Sequence, residues 1–527
     1  MTGAIDEATE LCRTPHVLPV VFVPGIMGSR LRQRGSGDNV WDPVSRSFLW
    51  QYAAASAATR RALLIGPPTA TFNQNFLDVD HGDSARMGEF VGAPFGAEKH
   101  DRGWGELVWS FYGPFMQWLE GTLPSLLARR NPSMGCLFVE AFAEPYNWAG
   151  DNGVAAQGLD RRVAQAVTDS KAKYADRSPR MLDPIVITHS MGGLVGRAFA
   201  KTGAQAGTVK AVIHGAMPTQ GSPAAYKRLM SGFEGAASVA LGITGAEVTA
   251  VGASSPGVLQ LLPSQFHEDR SGDQKWLKFS IEDQVFHSEP SGDPYFGIYA
   301  REDVWWRPVR RGSINPSVTD PIALQPFWTS YLGNLQIARN FHSSLGSGAG
   351  GFHPNTYMLY SDNISFPSWD HVEWRANTPT RTTLSAPEPV QVFGWNTPID
   401  SRSTEDAPAP ELNGMLQEAM RSHRDHDGWN ISTSFPIGAK FDLGSNVPEN
   451  AAGERLEATA LMQNADAAGD GTVHAGSGIR VVRSIESEAT QAAVGGNAGY
   501  AHDQCFNSED VRQQVAGWVF DEVNPQL

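Results

Sequence analysis

The stretch PIVITHSMGGLVGR, residues 184–197, decides the fold because it places a serine in a sharp turn between a buried strand and a helix. The apolar run 184–188 predicts the strand, and residues 191–201 predict the helix. In this setting Ser190 is predicted to be the nucleophile of a serine hydrolase. Gly192 supplies the small residue that the pattern G-x-S-x-G needs after the serine, whereas Thr188 stands where the first glycine is expected. The alternative is a serine that only caps the helix.

Strands and helices alternate on both sides of this turn. The sequence predicts strands at 17–23, 136–142, 184–188, 209–214 and 356–360, and helices at 153–174, 191–201 and 509–523. Continuous apolar strands alternating with helices indicate a parallel sheet covered on both faces. We therefore predict an α/β-hydrolase fold, with a mostly parallel central sheet, helices on both faces and a large cap insertion. Residues 104–130 predict a helix that is broken at Pro114 and Gly121.

Two interruptions of the alternation set the predicted domain organisation. Residues 15–217 are expected to form the N-terminal part of the core, and residues 218–352 a cap or lid. Residues 353–527 are expected to complete the core around a loop-rich insertion at about 362–461. The periodicity does not show whether the two insertions form one cap or two.

The insertions are rich in aromatic residues that fit either the interior of a cap or a surface for acyl chains and membranes. We expect most of them to form the interior. They are Tyr295, Phe296, Trp305, Trp306, Phe327, Trp328, Tyr331, Trp369 and Trp374.

A serine hydroxyl needs a base and an acid, which follow the serine in the order acid, then histidine, in this fold. Asp470 lies between two glycines in GDGTV, a tight turn that can direct a carboxylate toward a neighbouring loop, although such triplets are often plain turns. His502 lies shortly before the last predicted helix, where the base belongs. His474 and His189 are its rivals: His474 is close in sequence to Asp470, and a sharp turn directs His189 away from the serine.

Hydrolysis also needs two amide donors for the developing oxyanion. We expect one from the backbone of Met191, at the positive end of the helix dipole. The other is expected from Ile26, in the turn PGIMGS (residues 24–29) after the first strand. The alternative for that turn is a simple exit from the strand.

Composition excludes some functions and leaves others open. The net charge of −15 argues against a nucleic-acid partner, which requires a basic face, and gives no help in binding anionic membranes. No transmembrane segment and no signal peptide are predicted, so the chain is expected to be made in the cytoplasm, with export by a non-classical route open. Cys12, Cys136 and Cys505 allow at most one disulfide, which leaves the compartment open. No cofactor is predicted, and the run HRDHD at 423–427 is interpreted as a solvated loop rather than a metal site.

Several segments together resemble one lipase family. FVPGIMGSRL, ITHSMGGLVGR, GDGTV and AHDQCF look like the lecithin:cholesterol acyltransferase-like lipases, with some similarity to the GPI inositol-deacylase-like group. SPGVLQLLP and FVEAFAEPYNW are similar to segments of the same family. The resemblance covers islands between about residues 17 and 520. It implies a triad of Ser190, Asp470 and His502, an oxyanion hole at the PGIMGS turn, an acyl-enzyme, and a lid over an apolar acyl pocket.

The sequence therefore predicts a serine esterase or lipase that hydrolyses lipid carboxylic esters, phospholipid or acylglycerol, possibly at a membrane interface. One alternative is an acyltransferase that uses an alcohol acceptor. Another is a secreted antibacterial phospholipase effector. A binding module built on an inactive hydrolase fold is disfavoured because all three triad residue types are present in the right order.

Overall fold

The structure is a computed structural model of the 527-residue chain. It describes residues 14–43, 46–81, 97–234, 242–281, 283–346, 351–376, 454–484 and 499–527, together with the strand segments 380–383, 404–405, 438–442 and 490–494. The HRDHD run, Cys12 and most of the segment considered for a signal peptide lie outside these residues.

A parallel sheet forms the centre of the molecule. Across the described residues it contains seven strands, six of them along one path: Thr490–Val494, Thr356–Ser361, Ala211–Gly215, Ile185–His189, His16–Val23 and Leu137–Ala143. Arg180–Met181 also pairs with His16–Val23, and every pairing is parallel. The chain passes from His16–Val23 to a neighbour on one side and then returns to Ile185–His189 on the other. Such a reversal opens a crevice at the carboxyl ends of the strands, where ligands bind in open α/β sheets.

Helices cover both faces because strand side chains alternate between them. Val21 and Val23 pack with Gly192–Thr202 and Asn152–Lys173 in one buried cluster. Leu18, Val20 and Phe22 face the opposite cluster, which contains residues of three further helices. Those helices are Trp109–Gly121, Leu123–Arg130 and Glu509–Val523.

The central elements lie within a few residues of their predicted bounds. The strand predicted at 136–142 is Leu137–Ala143, and a 3-10 helix, Pro132–Cys136, precedes it. The predicted break in 104–130 lies after Gly121, between two helices. Pro114 does not break the chain there, because it lies inside the first of these helices.

The two insertions share one sheet. Strand Leu277–Ile281 of the first insertion pairs in parallel with Val372–Ala376 of the second, which pairs in turn with Glu454–Met462. A common buried cluster joins them, so the described parts of the two insertions pack as one unit, which we call the cap. Further strands of this sheet are Gln284–Glu289, Thr380–Thr383, Thr404–Glu405 and Gly438–Asp442.

Aromatic residues fill the interior of this cap. Eight of the nine named above are at most 7% exposed and belong to the cap cluster. Phe296 differs, with 59% of its surface exposed. The interpretation of most cap aromatics as the cap's own core is thus confirmed.

Smaller strands and helices complete the described structure. The remaining strands are Leu31–Gln33, Asn39–Trp41 and Leu77–Val79, which form one sheet, and Asn363–Ser368 and Ala467–Gly469, which form another. The remaining α-helices are Arg46–Ala53, Ala57–Leu64, Ala97–Asp101, Pro223–Ser231, Gly245–Gly252, Pro256–Leu259, Arg311–Ile314, Gln325–Leu345 and Ala475–Ser484. Among the described residues, no helix is long and apolar enough to cross a membrane.

Candidate active site

Ser190 lies in a strained turn, which we call the elbow, between strand Ile185–His189 and helix Gly192–Thr202. Its φ is +52°, a left-handed conformation that a non-glycine residue adopts only when its surroundings hold it there. Its N–H donates to Gly215 O (2.8 Å), and its own carbonyl accepts from Gly193 N (2.9 Å). A Cβ on Gly192 would lie 2.4 Å from Pro24 O, so the residue two after the serine must be glycine.

Thr188 is accommodated by a glycine that the motif does not contain. Thr188 is fully buried, and its Oγ1 lies 2.7 Å from His214 Nδ1. A Cβ on Gly196, one turn into the helix, would lie only 2.9 Å from Thr188 Cγ2. The space that a glycine at position 188 would provide is therefore provided by Gly196 from the opposite side.

Asp470 is held by its own turn. The carboxylate is 2% exposed, and Oδ1 accepts hydrogen bonds from the amides of Thr472 (3.0 Å) and Val473 (2.7 Å). Gly471 takes φ +89°, which closes the turn and leaves Oδ2 directed at His502.

His502 joins the acid to the serine. Its Nδ1 lies 2.9 Å from Asp470 Oδ2, and its Nε2 lies 2.8 Å from Ser190 Oγ. Because the carboxylate accepts, Nδ1 carries the proton, and Nε2 is left with a lone pair toward the serine hydroxyl. The backbone N–H of His502 also donates to Asp470 O at 2.8 Å. The three predicted residues are thus brought together in one hydrogen-bonded chain.

The rival histidines have other surroundings. His474 is buried, and its ring centre lies 5.6 Å from that of His267. His189 directs its ring away from Ser190, with Nδ1 3.0 Å from Tyr112 Oη and Nε2 2.9 Å from His502 O. Burial lowers the pKa of His189 to about 3, so this imidazole is neutral.

The turn after the first strand lies beside the serine. A Cβ on Gly25 would lie 2.9 Å from Ser190 Cβ, and Gly28 N donates to Gly25 O at 3.1 Å. Gly25 N donates to Tyr112 Oη at 3.1 Å. Within the described part of the chain, the amides of Ile26 and Met191 donate to no acceptor. Met191 directly follows the serine, and Ile26 directly follows Gly25, so both expected oxyanion donors lie next to residues of the site and have no acceptor within the described residues.

The site is largely enclosed. Ser190 is 4% exposed and Met191 is fully buried, whereas the His502 side chain is 18% exposed. Ile26 and Met27 are partly buried apolar side chains that pack on the core cluster containing Met191.

A second polar cluster lies near the turn of Asp470. Within the described residues, Asp370, His371 and Asp466 have ligand atoms within 4.8 Å of one another, a spacing that suits a metal ion. Arg270 already pairs with both carboxylates, through Asp466 Oδ2 at 2.6 Å and Asp370 Oδ2 at 3.5 Å. His371 Nδ1 lies 2.6 Å from Asp370 Oδ1. Protein groups thus already contact carboxylate oxygens of both aspartates in this cluster.

Two residues of the site were not predicted from the sequence. Tyr112, in helix Trp109–Gly121, contacts the turn after the first strand through Gly25 and the elbow through His189. Its sequence position gives no signal, because an aromatic residue on a helix face is normally a core residue. Gly196 follows the motif by four residues and gives a weak signal, since a glycine inside a helix often marks close packing.

The mostly parallel sheet with helices on both faces is an α/β-hydrolase fold, as predicted. A solved structure described as the crystal structure of the Tle4–Tli4 complex has this fold, with a TM-score of 0.68 and 22% identity. The match covers 97% of this chain and 99% of that chain, so it includes the cap. Phospholipase PlaB from Legionella pneumophila matches over 27% of this chain and 31% of its own, at 23% identity and a TM-score of 0.15, which is too low to carry an argument. No family model and no curated protein matches the sequence.

Proposed function

We propose that this chain is a serine esterase that hydrolyses lipid carboxylic esters through an acyl-enzyme on Ser190. The observation that carries the proposal is the chain Ser190 Oγ–His502 Nε2 (2.8 Å) and His502 Nδ1–Asp470 Oδ2 (2.9 Å). Both distances lie in the range that nucleophile and base require.

In the proposed first step, His502 Nε2 takes the Ser190 proton as Oγ attacks the ester carbonyl carbon. Asp470 stabilises the imidazolium that forms. The amides of Ile26 and Met191 stabilise the oxyanion, and they have no protein acceptor within the described residues to compete with it. The imidazolium then gives its proton to the leaving alcohol, and the carbonyl re-forms as the acyl-enzyme.

In the second step a water molecule replaces the alcohol. His502 takes a proton from the water as its oxygen attacks the acyl carbon, and returns that proton to Ser190 Oγ as the acid departs. The backbone of His502 stays fixed throughout, because its N–H is bonded to Asp470 and its carbonyl to His189.

Lipid esters are the favoured substrate class for two reasons. The quoted motifs resemble lecithin:cholesterol acyltransferase-like lipases, and the turn next to Ser190 carries the apolar side chains of Ile26 and Met27, which pack on the cluster that contains Met191. An acyl chain of an ester bound at Ser190 would be removed from water against such side chains, which is favourable in proportion to its buried area.

The test is turnover of a panel of p-nitrophenyl esters, phospholipids and acylglycerols by wild type, Ser190→Ala, His502→Ala and His474→Ala. We expect Ser190→Ala and His502→Ala to lose almost all turnover and His474→Ala to retain it. Wild-type rates in folded Ser190→Ala would refute the scheme, and loss in His474→Ala with activity in His502→Ala would refute the choice of base. Adding an alcohol acceptor separates hydrolysis from acyl transfer by the product formed.

One observation favours the effector alternative. Cys136 is disulfide-bonded, whereas Cys505 is a buried free thiol. Disulfides persist in oxidising compartments and are rare in the cytosol, so the disulfide favours action outside the cytoplasm, for example as an exported phospholipase. Bacteria that express the chain in the cytoplasm should then survive, whereas a copy directed to the periplasm should lyse them. Survival with a periplasmic copy that hydrolyses phospholipid in vitro would contradict this alternative.

A further inference from the structure

A buried hydrogen-bond chain outside the triad connects the turn after the first strand to the loop that carries His502. It consists of the Gly25 amide, the Tyr112 hydroxyl, the His189 ring and the His502 carbonyl, with successive distances of 3.1, 3.0 and 2.9 Å. Tyr112 is 3% exposed and His189 is 4% exposed. Neither side chain contacts Ser190 Oγ through a hydrogen bond, so the reaction scheme above does not use them.

Only one arrangement of protons satisfies every member of this chain. His189 is neutral because burial lowers its pKa to about 3, so its ring carries one N–H. The His502 carbonyl can only accept, which places that hydrogen on His189 Nε2. His189 Nδ1 must then accept, and Tyr112 donates to it, since burial raises the pKa of Tyr112 and keeps the phenol protonated. The Tyr112 oxygen in turn accepts from Gly25 N–H.

The packing around Tyr112 supports this connection. A Cβ on Gly28 would lie 2.8 Å from Tyr112 Oη, so the glycine lets the hydroxyl reach beneath the turn. The Gly25 amide is bonded to Tyr112, whereas the next amide, that of Ile26, has no acceptor among the described residues. At the other end, the bond to the His502 carbonyl fixes the loop of the base relative to the elbow.

We propose that Tyr112 and His189 are positioning residues. They fix the PGIMGS turn, through Gly25, relative to the base His502. This inference rests on the proposed function, because it assigns roles to groups around the same serine. Catalysis depends on the spacing of oxyanion donor, serine and base, and a displacement of about 1 Å costs up to about 100-fold in rate. The chain of bonds sets that spacing from beneath the site.

The test compares Tyr112→Phe, His189→Leu and the double variant with wild type on one p-nitrophenyl ester. Tyr112→Phe keeps the ring that packs on Phe22 at 5.1 Å between centroids and removes only the hydroxyl. We expect kcat to fall about 10- to 100-fold with KM changed less than about threefold, since the lost contacts position reacting groups and not the substrate. The kcat of the double variant should be no lower than that of the less active single variant, because either change breaks the same chain of hydrogen bonds.

Tyr174→Phe is the matched control. Its hydroxyl is also buried and donates a hydrogen bond, to Glu140 Oε1 at 2.6 Å, but it follows helix Asn152–Lys173 and makes no contact with the triad in the described residues. We expect Tyr174→Phe to lower the melting temperature about as much as Tyr112→Phe while kcat stays at the wild-type value. This comparison separates loss of stability from loss of positioning.

A readout without turnover completes the test. Nitrogen NMR of ¹⁵N-histidine-labelled protein should find the Nε2–H form of His189, with no protonation between pH 5 and pH 8, as its pKa of about 3 requires. In Tyr112→Phe the Nδ1 resonance should shift, because Nδ1 loses its donor. A kcat for Tyr112→Phe within twofold of wild type, losses that multiply in the double variant, or an Nδ1–H form of His189 would each overturn the inference. Wild type that cleaves no ester would instead refute the proposed function, and the NMR result would still decide whether the chain of bonds exists.

Discussion

Adding a methyl group to the helix with Gly196→Ala and removing one from the strand with Thr188→Ser tests how Thr188 is accommodated where the G-x-S-x-G pattern has its first glycine. In Gly196→Ala the new Cβ would lie 2.9 Å from Thr188 Cγ2 and 3.2 Å from His214 Cε1, among fully buried side chains. Overpacking of this kind costs about 1–3 kcal/mol, and alanine recovers about 1 kcal/mol of helix propensity. We expect a net destabilisation of about 1 kcal/mol and slower reaction of Ser190, because Thr188 is displaced two residues before it.

Thr188→Ser supplies the compensating change. It removes Cγ2, which is the atom in conflict, and keeps the hydroxyl that lies 2.7 Å from His214 Nδ1. Loss of one buried methyl alone should cost about 1 kcal/mol. In the double variant the alanine methyl occupies the vacated space, so the two changes should couple favourably by about 1–2 kcal/mol.

Chemical denaturation gives the four unfolding free energies, and the rate of fluorophosphonate labelling reports on the elbow. The double variant should be at least as stable as either single variant and should label at nearly the wild-type rate. Additive free energies, with no recovery of labelling, would refute the assignment of Gly196 as the residue that accommodates Thr188.

Three further predictions concern other contacts of the same core. Gly192→Ala should abolish fluorophosphonate labelling, because its Cβ would lie 2.4 Å from Pro24 O. The control Gly207→Ala, whose Cβ would have no atom within 4 Å, should label like wild type. Equal labelling of both variants would contradict the packing argument. Arg197→Met should lower the free energy of unfolding by about 2–4 kcal/mol in chemical denaturation. The reason is that buried Arg197 donates to the carbonyls of Thr219, Gly346 and Gly351, at the two ends of the first insertion. An unchanged denaturation midpoint would refute this prediction. Burial lowers the folded-state pKa of His189, His214 and His342 below the usual 6.5. The free energy of unfolding should therefore decrease as the pH falls below 6.5, by up to about 4 kcal/mol per pH unit near pH 5. Thermal unfolding without proton uptake would contradict this prediction.

The core of the fold was predictable because its strands are continuous apolar runs. The run before Pro24 and the run before Ser190 are buried on both faces, and such strands have a strong local signature. The order of acid and base along the chain then limited the choice to few residues, since Asp470 and His502 follow the serine in the order that this fold uses.

The cap was harder to predict because its pairings are non-local. Strands Leu277–Ile281 and Val372–Ala376 lie about one hundred residues apart in the chain and yet are neighbours in one sheet. No local periodicity reports such a pairing. Irregular loops between the strands also hide the pattern, although the aromatic residues of both insertions share one buried cluster.

The residues that hold the candidate site in place could not be predicted from the sequence, for a related reason. The contact of Tyr112 with His189 spans 77 residues, and the accommodation of Thr188 by Gly196 depends on the distance between a strand and a helix. Both follow from three-dimensional packing, which residue patterns specify only through compatible sizes and hydrogen-bonding groups. A sequence motif can therefore indicate the nucleophile without showing what holds it.

Labelling with a fluorescent fluorophosphonate, compared between wild type and Ser190→Ala, tests the central claim most directly. The reagent phosphonylates only a serine whose proton a neighbouring base removes, as His502 is placed to do at 2.8 Å. We predict that wild type is labelled at one site and that the label is absent from folded Ser190→Ala and strongly slowed in His502→Ala. Labelling of Ser190→Ala equal to that of wild type, or labelling of His502→Ala at the wild-type rate, would contradict the assignment of Ser190 and His502 as nucleophile and base.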